Sequence, residues 1–220
     1  MKALIAAAAL ALATSASAHD LGQAKYLGNE GILVAKGGTK VLFDAFYSES
    51  FDGQYSLVPG ALETQMVEGR APFDGVDAVF ISHVHPDHFD PRKTIAYMRA
   101  QPNVRLYAGR DVVAAIRAGA ASDPLMQRVV MVDVTSGGEP AKFAIDGLEI
   151  EAFSIPHHGE LPIPHYAFRV TLDRLATVMH LGDAGSDDRH FAPYQAEFDK
   201  KATSFTFAPV WMLTDAGAAK

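Results

Sequence analysis

The chain has 220 residues, 49% of them apolar and 20% charged, with a formal net charge of −7 and no cysteine. That composition and length suit one globular domain with a sizeable core, and the acidic balance argues against a general nucleic-acid binder, whose footprint is basic. The absence of thiols excludes disulfides, cysteine nucleophiles and thiolate ligands, so any metal must be held by His, Asp or Glu.

Residues 1–18, MKALIAAAALALATSASA, have the order of a signal peptide. Lys2 gives a positive start, Leu4 to Ala13 is an apolar run too short to span a bilayer, and Ala16-Ser17-Ala18 is a small-residue cleavage site. The expected mature protein begins at His19, is exported to the periplasm or beyond, and forms one domain over 19–220. No other stretch is expected to insert stably in a membrane.

The segment 24–46 reads as a meander, with short apolar runs Ile32-Leu33-Val34 and Val41-Leu42-Phe43 on either side of the Gly37-Gly38 turn signal. Residues 48–74 lack clear periodicity and predict a long loop with a short helix near 61–68. VDAVFIS (76–82) predicts a buried strand. A helix (92–100), a strand (104–109), a helix (110–119) and a strand (128–134) follow. AKFAIDGLEIEAFSI (141–155) predicts a hairpin turning at Asp146-Gly147. Residues 165–183 predict two further strands, 187–198 a short helix, and SFTFAPVWM (204–212) a last strand. No repeat or low-complexity linker interrupts the chain, and one mixed α/β domain is the reading these elements support.

ISHVHPDHFDP (81–91) places three of the nine histidines within six positions, where a buried strand ends. On extended backbone His83 and His85 point to the same side. Pro86 favours a bend there, which carries Asp87 and His88 around the same point. Neutral imidazoles and a carboxylate converging on one spot suit a divalent transition metal.

His83-x-His85-x-Asp87-His88 after an apolar strand resembles the HxHxDH signature of the metallo-β-lactamase superfamily. SIPHHGELPIPHYAFRV and VMHLGDAG resemble, in order, its later histidine segment and its strand-end Gly-Asp. The pattern YLGNEGILV…VLFDAF…PFDGVDAVFISHVHPDHFDP is most similar to the lactonase-like and N-acyl-phosphatidylethanolamine-hydrolase-like branch, and the resemblance covers about residues 24–213. It implies a four-layer αββα sandwich with the site at one edge of the two sheets. It also implies His83 and His85 on one metal, Asp87 and His88 on another, and Asp183 between them. Of the adjacent His157 and His158, which face opposite ways, His158 is expected as the further ligand because it precedes Gly159. His165 and His180 are expected to be structural or to orient a ligand, and His190 to lie at the surface. Asp44 is either an acceptor for a ligand histidine or a turn residue. The 48–74 loop and the Tyr194, Phe207 and Trp211 region are expected to shape the pocket.

The family carries a last histidine on a C-terminal strand, and no histidine follows His190. The chain is therefore expected either to stop short of a final strand and helix, or to hold its second metal weakly through Asp87, His88, Asp183 and water, or to lack that metal altogether. The implied activity is hydrolysis of an ester, lactone, amide or phosphodiester in a small-molecule substrate. One or two Zn2+ ions would serve it, with Mn2+ or Fe2+ as other occupants, and Asp87 would orient the nucleophilic water or take its proton. The competing expectation is an exported metal-binding or sensing protein with little or no turnover.

Overall fold

Strands that are apolar at successive positions must bury both faces. The computed structural model of the chain describes residues 22–214, and the expected signal peptide lies outside the described residues. The first sheet consists of β1 (Gln23–Gly28), β2 (Gly31–Lys36), β3 (Thr39–Phe43), β4 (Ala78–Ile81), β5 (Arg105–Gly109) and β6 (Val129–Val132), in that spatial order. β1 to β3 are antiparallel and β3 to β6 parallel. The second sheet contains β7 (Ala141–Ile145), β8 (Leu148–Ser154), β9 (Tyr166–Leu172), β10 (Ala176–His180) and β11 (Phe205–Phe207), with β11 parallel to β10 at one edge and the other pairs antiparallel.

Side-chain parity divides the core. Val41, Phe43, Ala78 and Phe80 point between the sheets and meet Phe168 and Val170 of β9. Their neighbours Leu42, Val79 and Ile81 point the other way, onto helices α1 (Gly60–Val67), α2 (Pro91–Ala100) and α3 (Arg110–Ala120). Each such buried side chain contributes about 1.5–3 kcal/mol. The outer face of the second sheet is covered by α4 (Asp188–Phe191), a 3-10 turn (Ala192–Tyr194) and α5 (Gln195–Lys200), whose Phe191, Tyr194 and Phe198 pack on Phe153 and Met179. The layers therefore run helix, sheet, sheet, helix, as the αββα expectation requires.

Arg169 of β9 fastens this outer layer although it is 1% exposed. Its Nε donates to Glu151 (2.7 Å) and its Nη2 to the Glu197 carbonyl (2.8 Å), and its guanidinium lies over the Phe153 and Phe198 rings. A buried charge so paired and hydrogen-bonded avoids most of the cost of leaving water.

Two expected elements differ. The strand over 204–212 is only three residues long, because Pro209 cannot donate to a ladder and the chain turns into α6 (Trp211–Thr214). The helix over 187–198 breaks at the turn containing Pro193. The β1–β3 meander and the hairpin at Asp146-Gly147 form as expected, with Gly147 at φ +75°.

Candidate metal centre

Ligands of α/β sheets gather beyond the carboxyl ends of parallel strands, and β4 ends at Ile81, in the middle of such a set. The His85 carbonyl accepts from His88 N (3.0 Å) and Phe89 N (2.9 Å), so the chain bends through Pro86. Asp90 then caps α2, accepting from Arg92 N (2.8 Å) and Lys93 N (3.2 Å), with Pro91 at the first helical position. The helix thus starts three residues after His88 and clamps the bend from behind.

Two donor groups result. One ligand atom each from His83, His85, His157 and Asp183 lies within 4.8 Å of the others, and the same holds for Asp87, His88 and Asp183. His83 Nε2 is 3.0 Å from His85 Nδ1, and His157 Nε2 is 3.3 Å from Asp183 Oδ2. On the other side His88 Nε2 is 3.2 Å from Asp183 Oδ1 and 3.6 Å from Asp87 Oδ2. Asp183 thus presents one oxygen to each group.

Gly182 sets Asp183 in place. It has φ +52°, and a Cβ there would stand 2.7 Å from the Ser82 side chain and 3.0 Å from His165 Nε2. Only glycine fits that conformation and that gap. Across from it, His157 forms a β-bridge with Ala184, and His158 N donates to the Asp183 carbonyl (2.7 Å). This bridge decides between the adjacent histidines and corrects the expectation. His157 turns inward, while His158, the expected ligand, stands outside both groups as an exposed ring stacked on Trp211 at 4.7 Å.

The surrounding hydrogen bonds assign the ring tautomers. Asp44 at the end of β3 accepts from Ser82 N (2.8 Å), Ser82 Oγ (2.5 Å) and His88 Nδ1 (2.8 Å). The Ser82 hydroxyl spends its proton on that carboxylate, so His83 Nδ1, 2.9 Å away, must donate to Ser82 Oγ. His157 Nδ1 donates to the His158 carbonyl (2.6 Å). In the neutral rings, His83, His88 and His157 all therefore keep the Nε2 lone pair for the centre of the cluster. Asp44 acts as the acceptor for His88 rather than as a bare turn residue.

Charge in the cluster is uneven. Burial, reinforced by neighbouring His88, holds the His83 pKa well below its ordinary value, so the ring stays neutral. Burial and His157 lower His85. At His88 burial acts in the same sense, but Asp183 and Asp44 outweigh it and raise the pKa well above the usual histidine range. Burial opposes ionisation of Asp183, yet His157 and His88 hold its carboxyl far below the usual carboxylate range. The site is thus built to accommodate positive charge. His88 Nε2 and His157 Nε2 are buried and, among the described residues, make no hydrogen bond, despite lying close to Asp183. Imidazole nitrogens and carboxylates that converge on one spot, two of the nitrogens with no hydrogen bond of their own, fit a divalent ion.

The remaining expected residues are spread around this centre. His165 donates through Nδ1 to the Ile155 carbonyl (2.7 Å), and its buried ring lies 5.2 Å from that of His83. Among the described residues its Nε2 has no hydrogen-bond partner, and burial lowers its pKa to about 4. His180 donates to the Glu30 carbonyl (2.9 Å) and stacks on Phe43. His190, expected at the surface, is half-buried because its Nδ1 packs towards Gly185. Tyr194 is a core residue bonded to the Ser154 carbonyl, Phe207 lies near His180, and Trp211 Nε1 donates to the Ala184 carbonyl (2.9 Å). Of these aromatics only Trp211 forms part of the wall beside His158. The 48–74 loop reaches the site, with Ser48 N and Glu49 N donating to the Pro86 carbonyl.

Sequence reasoning missed Ser82, Asn29 and Glu30. Asn29 Nδ2 donates to the Asp87 carbonyl (3.0 Å) and to its Oδ2 (3.3 Å). The only signal was the Gly-Asn-Glu-Gly turn at 28–31, in which Asn29 has φ +41°.

The model of the beta-lactamase superfamily domain matches residues 39–216. Among solved structures, Igni18, a metallo hydrolase from the archaeon Ignicoccus hospitalis, is 17% identical with a TM-score of 0.51, over 84% of this chain and 69% of its own. The metallo-beta-lactamase fold protein YhfI from Bacillus subtilis is 19% identical with a TM-score of 0.47, over 74% of this chain. This chain spans only 58% of YhfI. No curated protein matches the chain. The family match extends over most of the described residues, and the two-sheet sandwich agrees with it: the chain belongs to the beta-lactamase superfamily and has the metallo-β-lactamase fold.

Proposed function

We propose that this member of a metallo-hydrolase superfamily is a metal-dependent hydrolase, exported after loss of residues 1–18. Its action on an ester, lactone, amide or phosphodiester bond follows the lactonase-like branch that its motifs resemble. The observation that carries this reading is the pair of donor groups joined by Asp183. His83, His85 and His157 supply imidazole nitrogen to the first group, Asp87 and His88 serve the second, and zinc suits that donor set, with manganese or iron as other occupants. A divalent ion bound there supplies Lewis acidity and lowers the pKa of coordinated water toward about 7.

The chain's own residues do the rest. Asp44 and Ser82 keep the histidine rings in the tautomer that leaves Nε2 bare. Asn29 steadies Asp87, whose carboxylate orients the attacking water and accepts its proton. The 48–59 loop and Trp211 bound the approach of a small-molecule substrate.

The test is metal analysis of the purified chain together with zinc-loaded turnover on a panel of esters, lactones, amides and phosphodiesters. Turnover of at least one substrate is expected, falling by about a hundredfold or more in His85→Ala, beyond the 10–100-fold typical of losing a residue that merely supports a ligand. The second group offers three protein donors, and this favours a second reading, a metal-binding protein without turnover. Tight zinc binding with no hydrolysis of any panel member would establish that instead.

A further inference from the structure

Glu30 stands in the turn between β1 and β2, next to Asn29, which holds Asp87. Its side chain is only 17% exposed, and among the described residues its carboxylate accepts no hydrogen bond. The His180 imidazole lies 3.6 Å from Oε2 but donates its proton to Glu30's own carbonyl. Burial, opposed by the charges of His180 and His88, raises the Glu30 pKa, and Asp183 and Asp44 add to the rise. A carboxylate so enclosed, with no protein donor and only part of its surface in water, gains from a nearby cation. Close by, the Asp87–His88–Asp183 group offers three donors, and the fully buried His88 Nε2 makes no hydrogen bond. A four-coordinate ion there has one position beyond these three, open to water or to a further side chain.

We propose that Glu30 is the fourth protein donor of this second group, its carboxylate turning from His180 towards Asp87, His88 and Asp183. The inference rests on the reading of the cluster as a metal centre. In this structure Glu30 stands outside the 4.8 Å grouping, so the proposal requires its side chain to rotate towards the group. With Glu30 the second group holds three carboxylates and one imidazole, against one carboxylate and three imidazoles in the first. Its occupant is therefore a harder cation than that of the first group, with manganese favoured there relative to zinc.

The test is titration of the chelator-stripped chain with Zn2+ and with Mn2+, reading bound metal per chain after gel filtration and the melting temperature with and without metal. Wild type is expected to bind two ions. Glu30→Gln, nearly the same in shape, is expected to keep the first and bind the second at least about tenfold more weakly. Because the carboxylate accepts no hydrogen bond from the described residues in the metal-free chain, Glu30→Gln should melt no lower than wild type in chelator and gain less from metal. Two ions held with wild-type affinity by Glu30→Gln, or a single ion in wild type, overturns the proposal. So does a melting temperature that falls equally with and without metal, which marks a structural role. Wild type that binds no ion at all instead removes the metal-centre reading itself. His85→Ala, which disturbs the first group alone, tells the two failures apart.

Discussion

At the scale of single residues, the cluster is a problem of where protons sit. His165 is 1% exposed, lies beside His83 and has a pKa lowered to about 4 by burial. The unfolded chain takes up a proton there near pH 6.5, while the folded chain refuses it until about pH 4. The folded pKa is depressed, so the stability present above the unfolded value is lost as the pH falls towards the folded one. Between pH 7 and pH 4 this group should withdraw roughly 3 kcal/mol, by the conversion of 1.36 kcal/mol per pKa unit. Urea unfolding of chelated wild type and His165→Gln across that range should show wild type falling more steeply by about that amount. Parallel curves would mean that His165 is not held neutral. Five residues singled out in the sequence, His83, His85, Asp87, His88 and Asp183, lie together in the structure. The choice of His158 over His157 failed because adjacent side chains alternate, and only the bridge to Ala184 decides which one turns inward. Asn29 was illegible for a related reason, since its partner Asp87 is 58 positions away.

At the scale of elements, legibility followed the length of the apolar run. β4, α2, α3 and the β7–β8 hairpin were readable because burial on one or both faces writes a period into the sequence. The segment 204–212 was misread because its aromatics suggest a strand, while Pro209 and the packing of Trp211 against the site end the strand after three residues. Asp90 was not singled out, although it caps α2 directly behind the donor cluster. Asp90→Ala should cost about 1 kcal/mol, the usual loss for an N-cap. It should be visible as a lower urea midpoint with an unchanged m-value. An unchanged midpoint would show that Pro91 and the packing of α2 suffice without the cap.

At the scale of the whole molecule, sequence periodicity alone supported one mixed α/β domain, and the four layers followed from the family resemblance. No single segment states that two sheets face one another. That arrangement follows from parity, with Phe43 and Phe80 meeting Phe168 across the interior. Binding of an ion by the folded chain alone should stabilise it by about 2.7 kcal/mol at a hundredfold excess over Kd. Thermal melts with zinc should therefore shift upward and return with chelator, and melts indifferent to both would argue against the centre. The donor cluster draws on both sheets, with His83 to His88 leaving the first and His157 and Asp183 the second. In a chain without cysteine, an ion gripped there is a removable cross-link. It pins together positions about a hundred residues apart, and so takes from the unfolded ensemble the kind of loop entropy that a disulfide would.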